Sequence, residues 1–213
     1  MNLHFDKVIP HTLNDIQQKE NGVWNASFSL SKGEKIILSA ESGKGKTTFV
    51  HLLAGIRKDY EGTIRFDEKD IRKLSLFQWT QLRAHQLSFI FQDLQLFGDL
   101  SVEENLVLKN ERLPTFTNTK LKEMIAQVDL EDKWNTPCNL LSFGQQQRVA
   151  IVRALIQPFD WLIMDEPFSH LDEKNKDLAL TLILNRINEL QAGMILTSLG
   201  ENQLLEVDKK LYL

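Results

Sequence analysis

Four short apolar runs divide this chain, and each is bounded by polar or glycine-containing segments. None alternates apolar with polar residues and each is too short for a core helix, so all four predict strands buried on both faces. Strands of this kind belong to parallel sheets that carry helices on either side. The runs are residues 35–39 (KIILS), 87–91 (LSFIF), 161–164 (WLIM) and 194–198 (MILTS).

Helical spacing of apolar residues fills the intervals between the runs. Strands that alternate with helices indicate the α/β class. Residues 24–30 and 62–66 alternate instead, so we expect them in a small antiparallel sheet, whereas 94–150 is mostly helical and interrupts the parallel strands. The predicted helices cover residues 47–54, 75–86, 142–156 and 174–190.

Length and charge narrow the function classes. A chain of 213 residues suits one large domain better than two independent ones. Its net charge of −4 gives no basic footprint for nucleic acid, and we expect no such partner. Because no segment reaches the roughly 20 apolar residues that span a bilayer, we expect no direct membrane insertion. The lone cysteine, Cys138, fits a reducing cytoplasm.

A glycine-rich stretch, AESGKGKT, follows the first apolar run and has the spacing of a phosphate-binding P-loop. Gly43 and Gly45 permit a tight backbone whose N–H groups point at phosphate oxygens, and the following helix adds a positive dipole. Lys46 is predicted to reach the β- and γ-phosphates, and Thr47 to help hold Mg²⁺. The candidate nucleotide-binding residues here are Ala40, Glu41, Ser42, Gly43, Lys44, Gly45, Lys46, Thr47 and Thr48.

Two carboxylates end the third apolar run. Because the carboxyl ends of parallel strands face the ligand crevice, Asp165 is predicted to meet the metal ion. Glu166, one residue on, could orient or deprotonate an attacking water. An acidic turn after a strand is common, so this feature alone leaves a structural role open.

The stretch LSFGQQQR, residues 141–148, opens a predicted helix about twenty residues before Asp165. Ser142 and Gln145 have the spacing of a capping box, which is a sufficient structural explanation. The same helix start, with Gly144, also presents a hydroxyl and free N–H groups at a positive helix end. A second anion-binding surface is therefore the alternative interpretation.

These motifs together resemble those of the ABC ATPase superfamily. LSFGQQQR is similar to the family's signature motif, LSGGQ, while residues 40–47 match its Walker A loop and 161–165 its Walker B strand. Gln92 matches the Q-loop glutamine, and residues 169–172 (SHLD) match the D-loop. The resemblance implies a P-loop NTPase core with a mostly parallel sheet, an N-terminal antiparallel β subdomain and an inserted helical subdomain.

By this resemblance, residues 1–213 form a single ABC ATPase domain. Its antiparallel β subdomain would comprise 1–34 and 57–70, its P-loop core 35–56, 71–93 and 151–213, and its helical subdomain 94–150.

The resemblance also implies a Mg²⁺-dependent ATPase that encloses ATP between two copies of the domain. Ser142, Gly144 and Gln145 of one subunit would face the P-loop of the other, and Asp172 would bridge the two sites. The implied catalytic residues are Glu166, Lys46 and Gln92, and the implied metal ligands are Thr47, Gln92 and Asp165.

The implied partners are a second nucleotide-binding subunit, in a homodimer, and a separate transmembrane subunit that holds the chain at the cytoplasmic face of the membrane. The compact layout resembles short subunits paired with lipoprotein-releasing, efflux or cell-division membrane proteins. Residues 94–100 are apolar enough to line a groove for a coupling helix, although core packing explains them equally well.

One departure from the family bears on turnover. Leu199 occupies the place of the switch histidine and cannot form its hydrogen bond to the γ-phosphate. We therefore hypothesise slowed hydrolysis. An alternative function is a slow-turnover regulatory module that acts on a membrane protein without transport.

The other departures concern aromatic residues and the D-loop. Residues 13–21 contain no aromatic side chain to stack on adenine, and the pattern around Trp24 favours a packing role for that residue. Phe143 replaces the first glycine of the signature, and we expect the motif to tolerate it. His170 is interpreted as a local variation of the D-loop rather than a substitute for the switch.

Overall fold

The computed structural model describes residues 1–13, 22–41, 43–198 and 206–213, and it contains two β-sheets flanked by helices. The strands are β1 (Leu3–Pro10), β2 (Ser27–Leu30), β3 (Lys35–Ser39), β4 (Tyr60–Phe66), β5 (Lys69–Asp70), β6 (Leu87–Ile90), β7 (Trp161–Asp165), β8 (Gly193–Ser198) and β9 (Lys209–Tyr212). The α-helices are α1 (Lys46–Leu53), α2 (Leu76–His85), α3 (Val102–Glu111), α4 (Asn118–Ala126), α5 (Phe143–Leu155) and α6 (Glu173–Leu190), and short 3₁₀ turns lie at Ile71–Lys73, Glu131–Lys133 and Cys138–Leu140.

The larger sheet has five parallel strands in the order β6–β7–β8–β3–β9. The four strands predicted from the apolar runs are confirmed, with ends that differ by at most one residue. Neighbouring side chains point to opposite faces: Ile36 and Ile163 belong to one apolar cluster, and Ile37 and Leu162 to another. Both faces of the sheet are therefore covered, as the unbroken apolar runs predicted.

The smaller sheet is antiparallel, in the order β2–β1–β4–β5. The two alternating stretches contribute β2 and β4 to it, as predicted, but β1 lies between them, and no pattern predicted that strand. Its register shifts between Asp6 and Ile9, where Lys7 has a φ of 49°, so its apolar residues lose the period of two. Gly62 faces this bulge, and a Cβ there would lie 2.2 Å from the carbonyl oxygen of Lys7.

The helices predicted from apolar spacing are confirmed as α1, α2, α5 and α6, with ends within one residue of the prediction. The helices α3 and α4 fall in the stretch predicted to be helical between the parallel strands, and α5 begins in it. Capping boxes begin two of them, Ser101 with Glu104 on α3 and Ser142 with Gln145 on α5. Within the ranges described, no helix has both the length and the apolarity to cross a membrane.

Candidate nucleotide-binding site

Strands β7, β8 and β3 lie side by side, so their carboxyl ends meet at one edge of the sheet. The glycine-rich loop follows β3 and the acidic pair ends β7. The backbone N–H of Ala40 donates to the carbonyl oxygen of Ser198 at 3.3 Å, which joins the loop after β3 to the end of β8. In open parallel sheets this edge is where ligands bind.

The P-loop turns through two glycines in the left-handed region, Gly43 at φ 76° and Gly45 at φ 100°. Gly45 also precedes the first residue of α1, so the unpaired N–H groups of the helix start adjoin the loop. A Cβ on Gly45 would lie 2.9 Å from Leu13 and 3.2 Å from Trp24. Trp24 is buried with its ring edge-on to Phe49, which confirms its packing role.

The side chain of Lys46 is buried and joins the P-loop to the end of β7. Its Nζ donates to the carbonyl oxygens of Ala40 at 2.9 Å and Glu41 at 3.1 Å, and lies 3.3 Å from Glu166 Oε1. The predicted phosphate-binding lysine and the predicted catalytic carboxylate are therefore neighbours. Glu166 has a φ of 48°, a left-handed conformation uncommon for a residue with a side chain.

Asp165 accepts hydrogen bonds on both carboxylate oxygens. The hydroxyl of Thr47 donates to Oδ2 at 2.7 Å, and the hydroxyl of Thr197 donates to Oδ1 at 2.7 Å. The Thr197 oxygen also accepts from the backbone N–H of Glu166 at 3.1 Å. Asp165 and Thr197 are 2% and 1% exposed, so this network fixes the acidic pair from within the sheet.

The donor set fits a magnesium ion held together with phosphate. Thr47 and Asp165 offer hydroxyl and carboxylate oxygens, the hard ligands that Mg²⁺ prefers, and nucleotide sites usually hold the ion with one or two carboxylates plus phosphate oxygens. Among the described residues, no group of three or more His, Cys, Asp or Glu could hold a metal ion. A magnesium site built on Thr47 and Asp165 would be shared between the chain and a nucleotide.

The start of α5 packs against the loop after β7. Ser142 accepts from the Gln145 N–H at 3.3 Å while the Gln145 side chain accepts from the Ser142 N–H at 2.9 Å, so the predicted capping box is confirmed. A Cβ on Gly144 would lie 2.8 Å from the carbonyl oxygen of His170. The rings of Phe143 and His170 meet edge-on, with centroids 4.5 Å apart.

Gln147, one turn into α5, binds the same loop and is 2% exposed. Its Nε2 lies 3.4 Å from the carbonyl oxygen of Glu166 and 3.5 Å from the Ser169 hydroxyl, and its Oε1 accepts from the His170 N–H at 3.3 Å. Within one chain, the signature helix is thus held to the segment that carries Glu166.

The remaining predicted residues lie around this edge or outside the description. Gln92 is exposed just after β6, the strand next to β7. Asp172 caps α6 by accepting from the Asn175 N–H at 2.8 Å. Ser42, Leu199 and residues 14–21 lie outside the described residues.

Sequence reasoning missed Thr197 and Gln147 as parts of the site. Thr197 carried a signal, because it is a hydroxyl residue that directly follows the apolar residues of its strand. Gln147 carried a weaker one, a third consecutive glutamine on a predicted amphipathic helix. Neither signal identifies its partner, since Thr197 is 32 residues from Asp165 along the chain.

The sequence from residue 23 to 169 matches the protein family described as ABC transporter. This chain belongs to the ABC transporter family. Family membership implies that the chain binds and hydrolyses ATP. The match spans the P-loop, the signature motif and the acidic end of β7.

Individual relatives agree with the ABC assignment. The chain is 35% identical over 175 residues to the lipoprotein-releasing system ATP-binding protein LolD of Buchnera aphidicola subsp. Schizaphis graminum, which covers 81% of this chain and 76% of that protein. It superimposes with a TM-score of 0.83 at 24% identity on the ATP-binding cassette MJ0796 in a dimeric post-hydrolysis state bound to ADP and Pi, covering 99% of this chain and 94% of that one. A bacterial Atm1-family ABC exporter with ATP bound gives 0.78 at 24% identity, covering 100% of this chain and 36% of that one.

This ABC ATPase has a cavity of about 480 Å³ between β6, α3 and α5, here called the α3–α5 groove. Of the apolar stretch 94–100, Leu94 is buried whereas Phe97 is 54% exposed, and both line the groove. Leu108 of α3, 43% exposed, faces it as well. The burial of Leu94 supports core packing, and the exposure of Phe97 supports a groove lining, so both explanations of this stretch hold.

Proposed function

We propose that this chain is the Mg²⁺-dependent ATPase subunit of a transporter, which closes on ATP with a second copy and passes that motion to a separate membrane subunit. The observation that carries the proposal is the pair of contacts between the P-loop and the end of β7. Thr47 reaches Asp165 at 2.7 Å and Lys46 reaches Glu166 at 3.3 Å.

The P-loop residues would bind the nucleotide. The N–H groups around Gly43 and Gly45 suit phosphate oxygens, and Lys46 can exchange its carbonyl acceptors for the β- and γ-phosphates. Thr47 and Asp165 would hold Mg²⁺, with Gln92 as a further ligand. The ion would neutralise charge that develops on the phosphate oxygens.

Glu166 would act on the attacking water. Hydrogen bonds to Thr197 at 3.1 Å and to Gln147 at 3.4 Å fix the backbone of Glu166. Its carboxylate is therefore held in position beside Lys46. A positioned general base contributes about 10²- to 10⁴-fold to such a reaction. This arrangement supports hydrolysis by the chain's own residues.

Closure with a second copy would complete the site. The N–H groups at the start of α5, with Ser142, Gly144 and Gln145, suit a γ-phosphate presented by the other subunit. Phe143 at this helix start is 44% exposed, so the surface is available to a partner. Asp172 caps α6 at the end of the same loop, which suits a role in bridging two sites.

Coupling to a membrane subunit is supported by the α3–α5 groove and by the lipoprotein-releasing relative. We propose that residues 94–150 act as the helical subdomain that bears this groove, against a core of 35–56, 71–93 and 151–213 and a β subdomain of 1–34 and 57–70. The chain would then sit peripherally on the inner face of the membrane.

The test is to isolate the tagged chain from gently solubilised native membranes in the presence of ATP and to identify the proteins that accompany it. We expect one multi-spanning membrane protein in stoichiometric amount, and ATPase activity that EDTA abolishes and Mg²⁺ restores. A Lys46→Ala chain is the matched control for activity. Two results would contradict the proposal: undiminished ATPase activity in EDTA, or the absence of any membrane protein isolated together with the chain.

A further inference from the structure

The start of α5 holds one residue of the loop after β7 by three separate contacts. The ring of Phe143 meets the His170 ring edge-on at 4.5 Å, with the two ring planes 76° apart. The Gln147 side chain accepts from the His170 N–H at 3.3 Å, and a Cβ on Gly144 would lie only 2.8 Å from the His170 carbonyl oxygen. Phe143, Gly144 and Gln147 are here called the His170 clamp. Its geometry leaves His170 little freedom to move independently of the helix.

The His170 clamp reaches Glu166 as well. The Ser169 N–H donates to the Glu166 carbonyl oxygen at 3.3 Å, which closes the loop between Glu166 and His170 into a turn. Gln147 also contacts this turn, with its Nε2 3.4 Å from the same carbonyl oxygen. Because the segment is short and hydrogen-bonded, a movement of His170 displaces the backbone from which the Glu166 carboxylate extends.

Phe143 and His170 form the exposed part of this connection. Phe143 is 44% exposed and His170 is exposed, whereas Gln147 is 2% exposed. The two rings can therefore be removed without opening a cavity in the core, and stability should change little. A larger residue in place of Gly144 would collide with the loop, and loss of Gln147 would leave buried polar groups without partners. The ring pair is thus the part of the connection that can be tested cleanly.

The position of the His170 clamp relates two nucleotide sites to each other. In the proposed closed dimer, the start of α5 faces the ATP bound by the other copy, whereas Glu166 acts on the ATP bound by its own copy. The clamp lies between these two elements of one chain. A contact that fixes the start of α5 against one ATP would therefore also fix Glu166 for the other.

We infer that Phe143 and His170 are positioning residues for Glu166 of their own chain, so that closure around one ATP sets the carboxylate that acts on the other. This inference rests on the proposed function and adds to it a route between the two sites. The two residues act together, because neither ring has the contact without the other. Hydrolysis at each site then depends on the ring pair of the chain that supplies Glu166, not on that of the chain that supplies the signature helix.

The first experiment removes each ring and then both. Because an aromatic pair contributes about a two- to ten-fold effect, we expect Phe143→Ala and His170→Ala each to lower ATP turnover by about that factor, with little change in ATP affinity. The double variant should fall no further than the more impaired single variant, since the same contact is lost in all three. Phe143→Tyr keeps a ring and should recover most of the turnover. Phe77→Ala, which removes a 71% exposed ring from α2, is the matched control and should retain wild-type turnover.

The second experiment determines which chain's Glu166 depends on the rings. Two differently tagged copies are co-expressed and isolated from membranes through both tags, so that each dimer has one Glu166→Gln copy and one copy with an active Glu166. Phe143→Ala is placed either in the copy with the active Glu166 or in the Glu166→Gln copy. Single-turnover conversion of ATP to ADP measures the active site without requiring the dimer to reopen. We expect the rate to fall only in the first arrangement.

A fall in the second arrangement that equals or exceeds the fall in the first overturns the inference, because Phe143 then acts on the ATP held by the other copy. Additive losses in the double variant, or unchanged turnover on removal of both rings, also overturn it and leave the proposed function intact. A wild-type chain that neither hydrolyses ATP nor closes with a second copy removes the proposed function and this inference together.

Discussion

Thr197 donates a hydrogen bond of 2.7 Å to Asp165, its neighbour in the adjacent parallel strand. The same hydroxyl oxygen accepts from the Glu166 N–H at 3.1 Å. One buried side chain thus orients both acidic residues at the end of β7. Thr197 itself is not proposed to bind phosphate or metal. Its contribution can therefore be tested separately from nucleotide binding.

Thr197→Val keeps the shape of the side chain and removes the hydroxyl. We expect ATP turnover to fall about 10- to 100-fold, because a hydrogen bond to a charged group contributes about 1.5–3 kcal/mol. ATP affinity should change less than turnover, since the P-loop is untouched. Steady-state ATPase assays and nucleotide titration measure the two effects. Thr63→Val on β4 is the control, and equal turnover in both variants would contradict a positioning role.

Glu166→Gln keeps the size of the side chain and removes its charge. We expect turnover to fall about 100-fold or more, because the carboxylate can no longer accept a proton. ATP should then hold two copies together, which gel filtration with and without ATP detects as a dimer. Glu173→Gln on α6 should remain active. A variant that binds ATP and stays monomeric in the presence of its membrane subunit would count against closure of two copies.

Leu199→His restores the hydrogen-bonding side chain that the family usually places after β8. If leucine slows hydrolysis, this substitution should raise turnover severalfold, because an imidazole can contact the γ-phosphate. Leu199→Gln is a useful comparison, since it adds a polar group without an imidazole. Steady-state turnover decides the matter, and an unchanged or lower rate in a well-folded Leu199→His chain would show that leucine is not the limiting feature.

Lys109→Met should stabilise the free chain. Burial, together with the positive charges of Arg153 and Arg112, lowers the pKa of Lys109 to about 8. Folding therefore disfavours its charge, a cost of about 1–3 kcal/mol that is fully present below pH 8. As the pH rises from about 8 toward the ordinary lysine value of 10.5, the folded chain loses this proton before the unfolded chain does, so the cost fades. Urea unfolding at pH 7 and pH 9.5 should show a larger gain at pH 7. Lys58→Met, at an exposed lysine outside the groove, is the matched control.

Local patterns were sufficient for much of the fold. The strands β3, β6, β7 and β8 follow from unbroken apolar runs, and the start of α5 follows from a capping box that spans four residues. The strand β1 could not be predicted in the same way, because the bulge at Lys7 breaks the alternation that identifies a strand.

Contacts between distant motifs required the tertiary structure. Phe143 and His170 are two separate departures from the family pattern in sequence, yet their rings meet at 4.5 Å in the structure. Gln147 joins the signature helix to the loop after Glu166. The cations that line the α3–α5 groove come from α2, from α3 and its end, and from α5; they are Arg83, Lys109, Arg112 and Arg153. No periodicity relates residues that lie on different elements.

The sequence by itself determined which segments bury on both faces, where the P-loop turns and which carboxylates end β7, because these depend on residues adjacent in the chain. Only the tertiary structure decided that Thr197 orients Asp165 and that Lys109 lies among cations without a carboxylate. Those relationships depend on strand order and helix packing, which bring distant residues into contact. Thr197 and Asp165, for example, are 32 residues apart along the chain. Burial then sets their energies, since polar groups removed from water are stabilised or destabilised by the partners that the fold supplies.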